Sequence, residues 1–155
     1  MPQTIDIQKR LHHRKPYLFI DTVIDHSKDH IIAKKIFTPN DFFVDGHFPN
    51  APVIPGAMMQ EMTTQAAGLL LTEYYSPIPD YDSNLHRGHA IGVLRAIHNA
   101  KYSHFAKPNQ ELIISVELIQ NIDNAFRFKA KIEHLQQKIM SNEFTLINIA
   151  DQFLF

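Results

Sequence analysis

An α+β fold, an antiparallel sheet packed on one long helix, is predicted by three features of the chain. From Ala57 to Tyr75 runs a stretch without proline and, Glu61 and Glu73 apart, without charge, long enough for about five helical turns. Farther on, Leu112, Ile114, Val116 and Leu118 alternate with Ile113, Ser115, Glu117 and Ile119. Phe126, Phe128, Ala130 and Ile132 likewise alternate with Arg127, Lys129, Lys131 and Glu133, the period of two of a half-buried strand. The order is strands, the helix, then consecutive strands, which leaves one helix to cover the sheet.

In chain order, Met1 to Lys15 is polar with scattered Ile and Leu and predicts a short helix or lead-in. Tyr17–Asp25 and His30–Phe37 are rich in β-branched and aromatic residues and are divided by His26-Ser27-Lys28-Asp29, which predicts a hairpin. Thr38-Pro39-Asn40-Asp41 ends the second strand. Ser76 to Gly88 carries loop signals throughout. His89–Tyr102 predicts a strand, Lys107-Pro108-Asn109-Gln110 a turn, and Lys138–Ile149 the closing strand. There is no repeat, linker or low-complexity tract, and 155 residues predict one domain over 1–155.

Composition removes several function classes. Fifteen basic against sixteen acidic side chains provide no electrostatic footprint for nucleic acid. Without cysteine there is no disulfide framework, thiolate nucleophile or Cys-ligated zinc. No apolar run reaches the roughly 20 residues of a membrane span, and the N-terminus lacks a signal-peptide core, so a cytoplasmic protein is expected. No Gly-rich phosphate loop or Gly-x-Ser-x-Gly nucleophile motif occurs.

The chain is organised around Gly46-His47-Phe48-Pro49-Asn50-Ala51-Pro52-Val53-Ile54-Pro55-Gly56, which runs into Ala57-Met58-Met59-Gln60-Glu61. Prolines three apart stiffen an extended segment and bias each preceding residue away from helix. In the helix that follows, Met58, Met62, Ala66 and Leu69 mark one apolar stripe, and Met59, Ala67, Leu70 and Leu71 extend apolar character to other faces, the pattern of a core helix. Glu61, Gln65, Gly68 and Thr72 form a narrow polar or small stripe. Buried, that stripe would raise the pKa of Glu61; facing solvent, it would make Glu61 a surface residue, and periodicity leaves both open.

His47-Phe48-Pro49-x-x-Pro52-Val53-x-Pro55-Gly56, with Glu61 and Gln65 at their offsets, resembles the signature of the 3-hydroxyacyl-acyl-carrier-protein dehydratases, hot-dog-fold enzymes of type II fatty-acid synthesis. Leu11-x-His13-Arg14-x-Pro16-Tyr17-Leu18-x-x-Asp21 and Asn40-x-x-Phe43-x-x-Gly46 fit the same pattern. Ala100-Lys101-Tyr102 and Lys107-Pro108 resemble weaker versions of later family positions, so the likeness covers about residues 10 to 150. His12, Lys15 and Asn109-Gln110 depart from it, as does the strand from Ile91 to His98, which leaves acyl length and pathway open between fatty-acid synthesis and a specialised lipid or polyene route.

The resemblance implies a reaction. Loss of water from a (3R)-3-hydroxyacyl thioester, giving the trans-2-enoyl product reversibly, needs a base at C2 and an acid at the C3 hydroxyl. It implies His47 as base and Glu61 as acid, an imidazole being neutral near pH 7 and a carboxyl needing a raised pKa to stay protonated. It further implies the Gly56 N–H as donor to the thioester oxygen, the Val53 carbonyl as the group orienting His47, Gln65 as a buried hydrogen-bonding helper, and a cis peptide between His47 and Phe48. No metal or redox cofactor is called for. The implied partners are an acyl carrier protein bearing the substrate and a second copy of the chain, each site taking His47 and Glu61 from different subunits, with a trimer of dimers as a further assembly. Asp at 61 would imply the isomerising branch of the family; Glu favours the simple dehydratase.

Other candidates carry plainer readings. His86-x-x-His89 with Asp80 and Asp82 has loose zinc spacing and reads as solvated loop. His12-His13-Arg14-Lys15, and separately Arg95, Lys101 and Lys107, are basic enough to attract an acidic carrier and equally suit solvated surface. Two alternatives to the dehydratase are a hot-dog thioesterase, which needs no His-Phe-Pro segment, and a non-catalytic acyl-binding protein, against which the presence of both His47 and Glu61 argues.

Overall fold

A computed structural model describes residues 3–86 and 91–154. Its elements are helix α1 (Ile7–Arg10), strands β1 (Thr22–His26) and β2 (His30–Ile36), helix α2 (Gly56–Tyr74), strands β3 (Ile91–Tyr102), β4 (Glu111–Ile122), β5 (Ala125–His134) and β6 (Gln137–Ile149), and a 3-10 turn (Asp151–Leu154). The strands form one sheet in the order β1-β2-β4-β5-β6-β3, every neighbouring pair antiparallel. α2 carries the chain from β2 to β3 at the far edge, and β4 to β6 fill the space between. The sheet wraps the helix as the fold class predicted.

Turn chemistry sets the registers. Ser27 N–H donates to the His30 carbonyl at 2.8 Å, closing the β1–β2 hairpin where expected. Beside it, a hydrogen bond from His30 holds the Asp25 carboxyl below its usual range. β5 turns into β6 through Leu135 and Gln136, both left-handed at φ 47° and 66°, the sense that matches strand twist. The alternation seen in sequence places Leu112, Ile114 and Val116 on the inner face with Phe126, Phe128 and Ile132, all buried. Phe128 lies opposite Phe144, the rings stacked at 5.7 Å.

The strand expected over Tyr17–Asp25 begins only at Thr22. Upstream, a side chain takes the place of a neighbouring strand: Gln65 Oε1 accepts from Phe19 N–H at 2.7 Å and Gln65 Nε2 donates to the Tyr17 carbonyl at 2.8 Å. The start of the strand expected from His89 lies outside the described residues; from Ile91 it runs as expected.

The two readings of the polar stripe on α2 are now decided. The segment from α1 to Phe19 covers it, so Gln65 is fully buried and Thr72 nearly so. Gly68 permits this close approach, since a Cβ there would stand 3.2 Å from Leu11 Cδ2. Arg10 Nε reaches Glu73 Oε2 at 2.6 Å on the same face. No helix among the described residues is long and apolar enough to cross a membrane. At the sheet's far edge, β3 exposes Leu94, Ile97 and Tyr102 beside an unpaired backbone.

Truncating the central stack tests this core. Phe128→Ala is expected to lower unfolding free energy by ~3–5 kcal/mol in chemical denaturation, whereas Arg95→Ala on exposed β3 should change it by less than about 0.5 kcal/mol.

Candidate active site

The segment before α2 is held by its own backbone. His47 N–H donates to the Val44 carbonyl at 3.1 Å, and Val53 N–H to the His47 carbonyl at 2.9 Å. Phe48 and Ala51 exchange two backbone bonds across a turn in which Asn50 is left-handed at φ 63°. The His47–Phe48 peptide is cis, as expected. The Phe48 ring stacks on the imidazole at 4.4 Å. His47 Nδ1 lies 3.0 Å from the Val53 carbonyl. A carbonyl only accepts, so Nδ1 carries the hydrogen and Nε2 is left as a bare proton acceptor.

His47 lines a cavity of about 500 Å³ together with Val53, Ile54, Gly56, Met59, Tyr102 and Phe105. Gly56 is the first residue of α2, where N–H groups lack intrahelical acceptors and the dipole is positive. Tyr102 closes over it: the phenol donates to the Gly56 carbonyl at 3.2 Å, and a Cβ on residue 56 would stand 3.0 Å from the ring. Burial raises the Tyr102 phenol above its ordinary value. The cavity thus joins an oriented imidazole, a helix N-terminus and apolar walls, which suits proton abstraction beside a carbonyl.

Glu61 does not line this cavity. Met59 does, and at 100° per residue Glu61 points about 200° away around the helix. Its carboxylate instead lies under the N-terminal segment. Gln65 Nε2 donates to Oε1 at 3.0 Å, and His13 Nε2 stands 3.4 Å from the same oxygen. The Tyr17 phenol is raised first by burial and then by the charge of Glu61. Within one chain, the five residues singled out by sequence form two groups, His47 with Val53 and Gly56, and Glu61 with Gln65.

Several surface readings are corrected. His12 Nε2 lies 2.6 Å from the Tyr81 hydroxyl, and Arg14 donates to the carbonyls of Leu11, His13 and Gln8 and to the side chains of Ser83 and Asn84. The basic cluster is therefore built into the loop that follows α2, and only Lys15 is exposed. Asp80 pairs with Lys9 at 3.0 Å and with Arg10 at 3.4 Å, Asp82 accepts from Asn84 N–H, and His86 Nδ1 accepts from Asp82 N–H. These contacts fold the loop, while the Asp80 carboxylate itself stays exposed to solvent as expected; His89 lies outside the described residues. Arg95, Lys101 and Lys107 are exposed as expected. Sequence reasoning considered His13 only within the basic cluster and gave Tyr102 no role. Both stood in the quoted patterns, but their contacts span long sequence separations that no periodicity encodes.

The chain matches the family model described as FabA-like domain over residues 11–142. It is 31% identical over 144 residues to the 3-hydroxyacyl-[acyl-carrier-protein] dehydratase FabZ of Petrotoga mobilis, covering 93% of this chain and 95% of that one. It is 39% identical over 127 residues to the protein of the same name from Albidiferax ferrireducens, covering 81% and 79%. Among solved structures, the dehydratase heterocomplex ApeI:P from Xenorhabdus doucetiae aligns with a TM-score of 0.78 at 16% identity, covering 98% and 96%. A hypothetical thioesterase with coenzyme A from Streptococcus pneumoniae aligns at 0.59 and 12% identity, covering 83% and 84%. At such identities these two structures speak for the fold alone.

The Gln65 anchor has a measurable consequence. Gln65→Leu strands the Phe19 N–H and the Tyr17 carbonyl, and should cost about 2–4 kcal/mol in denaturant unfolding. Gln65→Glu, which keeps an acceptor for Phe19, should cost less if the carboxyl is protonated, so its deficit should shrink as pH falls.

Proposed function

The chain belongs to the FabA-like domain family, and within it to the 3-hydroxyacyl-[acyl-carrier-protein] dehydratases, and from that premise we propose how its residues perform the reaction. It is a hydro-lyase that reversibly dehydrates a 3-hydroxyacyl thioester to the 2-enoyl product in fatty-acid or related lipid or polyene biosynthesis. The (3R) substrate and trans product belong to this reading, as do the carrier protein that presents the acyl chain and a cytoplasmic location.

His47 Nε2 removes the C2 proton. The electron pair left at C2 forms the C2–C3 double bond as the C3–O bond breaks, and Glu61 gives its proton to the departing hydroxyl, which leaves as water. The thioester oxygen gains negative charge as C2 loses its proton, and the Gly56 N–H at the positive end of α2 stabilises it. The observation that carries this is the imidazole locked by the Val53 carbonyl in the same cavity as Gly56. In water, a carboxyl with the ordinary pKa near 4.3 would be ionised at neutral pH, so the acid role needs Glu61 shielded in the assembled site.

His47 and Glu61 act together only across a subunit boundary, because the His47 cavity lies against the Met59 side of α2 and Glu61 projects from the opposite side. The exposed apolar edge of β3, which carries Tyr102 at the cavity, supports pairing of two copies there. A trimer of such dimers is the further assembly that accompanies this reading.

Incubation with a panel of 3-hydroxyacyl carrier-protein thioesters should give products lighter by one water. Release of free carrier thiol instead would replace the dehydratase by a thioesterase. His47→Ala should abolish turnover, and Glu61→Gln should lower it by ~10²–10⁴ with folding intact. Equal mixing of these two inactive variants after subunit exchange tests the shared site. Half the dimers then carry one intact site of two, so about a quarter of wild-type activity should return. A site contained in one chain would recover none.

A further inference from the structure

Both N–H bonds of Gln65 are committed, and its oxygen is anchored as well. Its oxygen accepts from Phe19 N–H, and its two N–H bonds go to the Tyr17 carbonyl and to Glu61 Oε1. His13 also approaches that Glu61 oxygen, with Nε2 at 3.4 Å. Neither contact is to Oε2. We propose that His13 is a positioning residue for Glu61: with Gln65 it fixes Oε1 as the accepting oxygen, so that the acid proton sits on Oε2 and leaves from there. This rests on the reading of Glu61 as the acid.

The surroundings of His13 select one form of its ring. Nδ1 is buried and has no hydrogen-bond partner among the described residues. A proton on Nδ1, whether in the other neutral tautomer or in the imidazolium, would be a buried donor without an acceptor, which proteins avoid more strictly than a bare acceptor. The neutral Nε2–H tautomer remains, and it donates toward Glu61. The ring is held in place by stacking on Tyr17 at 6.3 Å and 23°, and the His13 carbonyl accepts from Arg14 Nη1 at 2.9 Å.

A carboxylic acid has one oxygen that accepts and one that carries hydrogen. Two donors converging on Oε1 would clash with a proton there and favour the carbonyl form of that oxygen. The same donors stabilise the carboxylate left after proton transfer, so they lower the barrier to giving the proton up. Among the described residues, the titratable groups facing Glu61 are His13 and Tyr17, both from the segment before β1.

The test compares His13→Ala, His13→Gln and Glu61→Gln in the assembled enzyme, by kcat, KM and the pH dependence of kcat for dehydration. Gln places an amide N–H near the position of the imidazole Nε2. His13→Ala is expected to lower kcat about 10- to 100-fold with KM changed by less than about twofold. Losing a donor that favours the carboxylate should move the fall in rate at high pH to higher pH. His13→Gln should restore both the rate and the position of that limb.

Wild-type kcat and an unmoved limb in His13→Ala, with Glu61→Gln inactive, would overturn the inference while leaving the acid intact. A Gln variant no better than Ala would also overturn it. Full activity in Glu61→Gln would remove the acid assignment and this inference with it. Should His13→Ala not fold, nitrogen-15 spectra of histidine-labelled wild type decide instead: a neutral Nε2–H ring supports the proposal, and an Nδ1–H ring or an imidazolium at neutral pH overturns it.

Discussion

Gln65 is a primary amide without solvent access, and its oxygen and both its N–H bonds have partners. In water such a group would exchange partners freely; in the interior an unmade bond costs the full desolvation of the group left behind. That cost ties three things together. The chain entering the sheet lies across α2 because its backbone finds a partner there. The polar stripe of α2 is covered because that chain lies on it. The Glu61 carboxylate keeps one orientation because the remaining amide hydrogen points at it.

The cover is reinforced from outside. Lys9, Arg10 and Arg14 reach the loop after α2, where Arg10 donates to the Tyr81 carbonyl and Ser83 donates to the Gln8 carbonyl. Exposed ion pairs such as Lys9–Asp80 add little by themselves. Arg14 differs, because its planar fork satisfies three carbonyls and two side chains in a half-buried place. The N-terminal segment is thus fastened at both ends of the stripe, by Arg14 and the loop at one and by Gln65 at the other.

The proposed base and acid sit in unlike settings for a physical reason. The imidazole is oriented by a backbone carbonyl in a loop whose own hydrogen bonds are local, so it holds its position beside the helix N-terminus. The carboxyl is oriented by Gln65, one turn further along α2, and by His13, which is brought from far along the chain. Each arrangement leaves one reactive atom without a hydrogen bond from the described residues, Nε2 on His47 and Oε2 on Glu61. In the proposed reading a second copy brings those atoms to one substrate, and the bare edge of β3 is the surface proposed for it.

Local chemistry was readable directly. The period-two alternation in β4 and β5 marked the inner face residue by residue, since a strand's pleat fixes which side chains share a side. The proline spacing and Pro55-Gly56 located the start of α2, and the motif named His47, Val53 and Gly56, which one local loop brings together. What periodicity left undecided on α2 was the direction of the Glu61 stripe, because a polar stripe looks the same whether it meets water or another segment's backbone. Tyr17 to Phe19 has strand composition yet is not strand, because its backbone groups are satisfied by Gln65. His13 reaches Glu61 only through that same packing. Contacts within a turn or a strand follow from dihedral preferences and spacing, whereas contacts between distant segments exist only once the core has closed, and the surroundings of Glu61 are of the second kind.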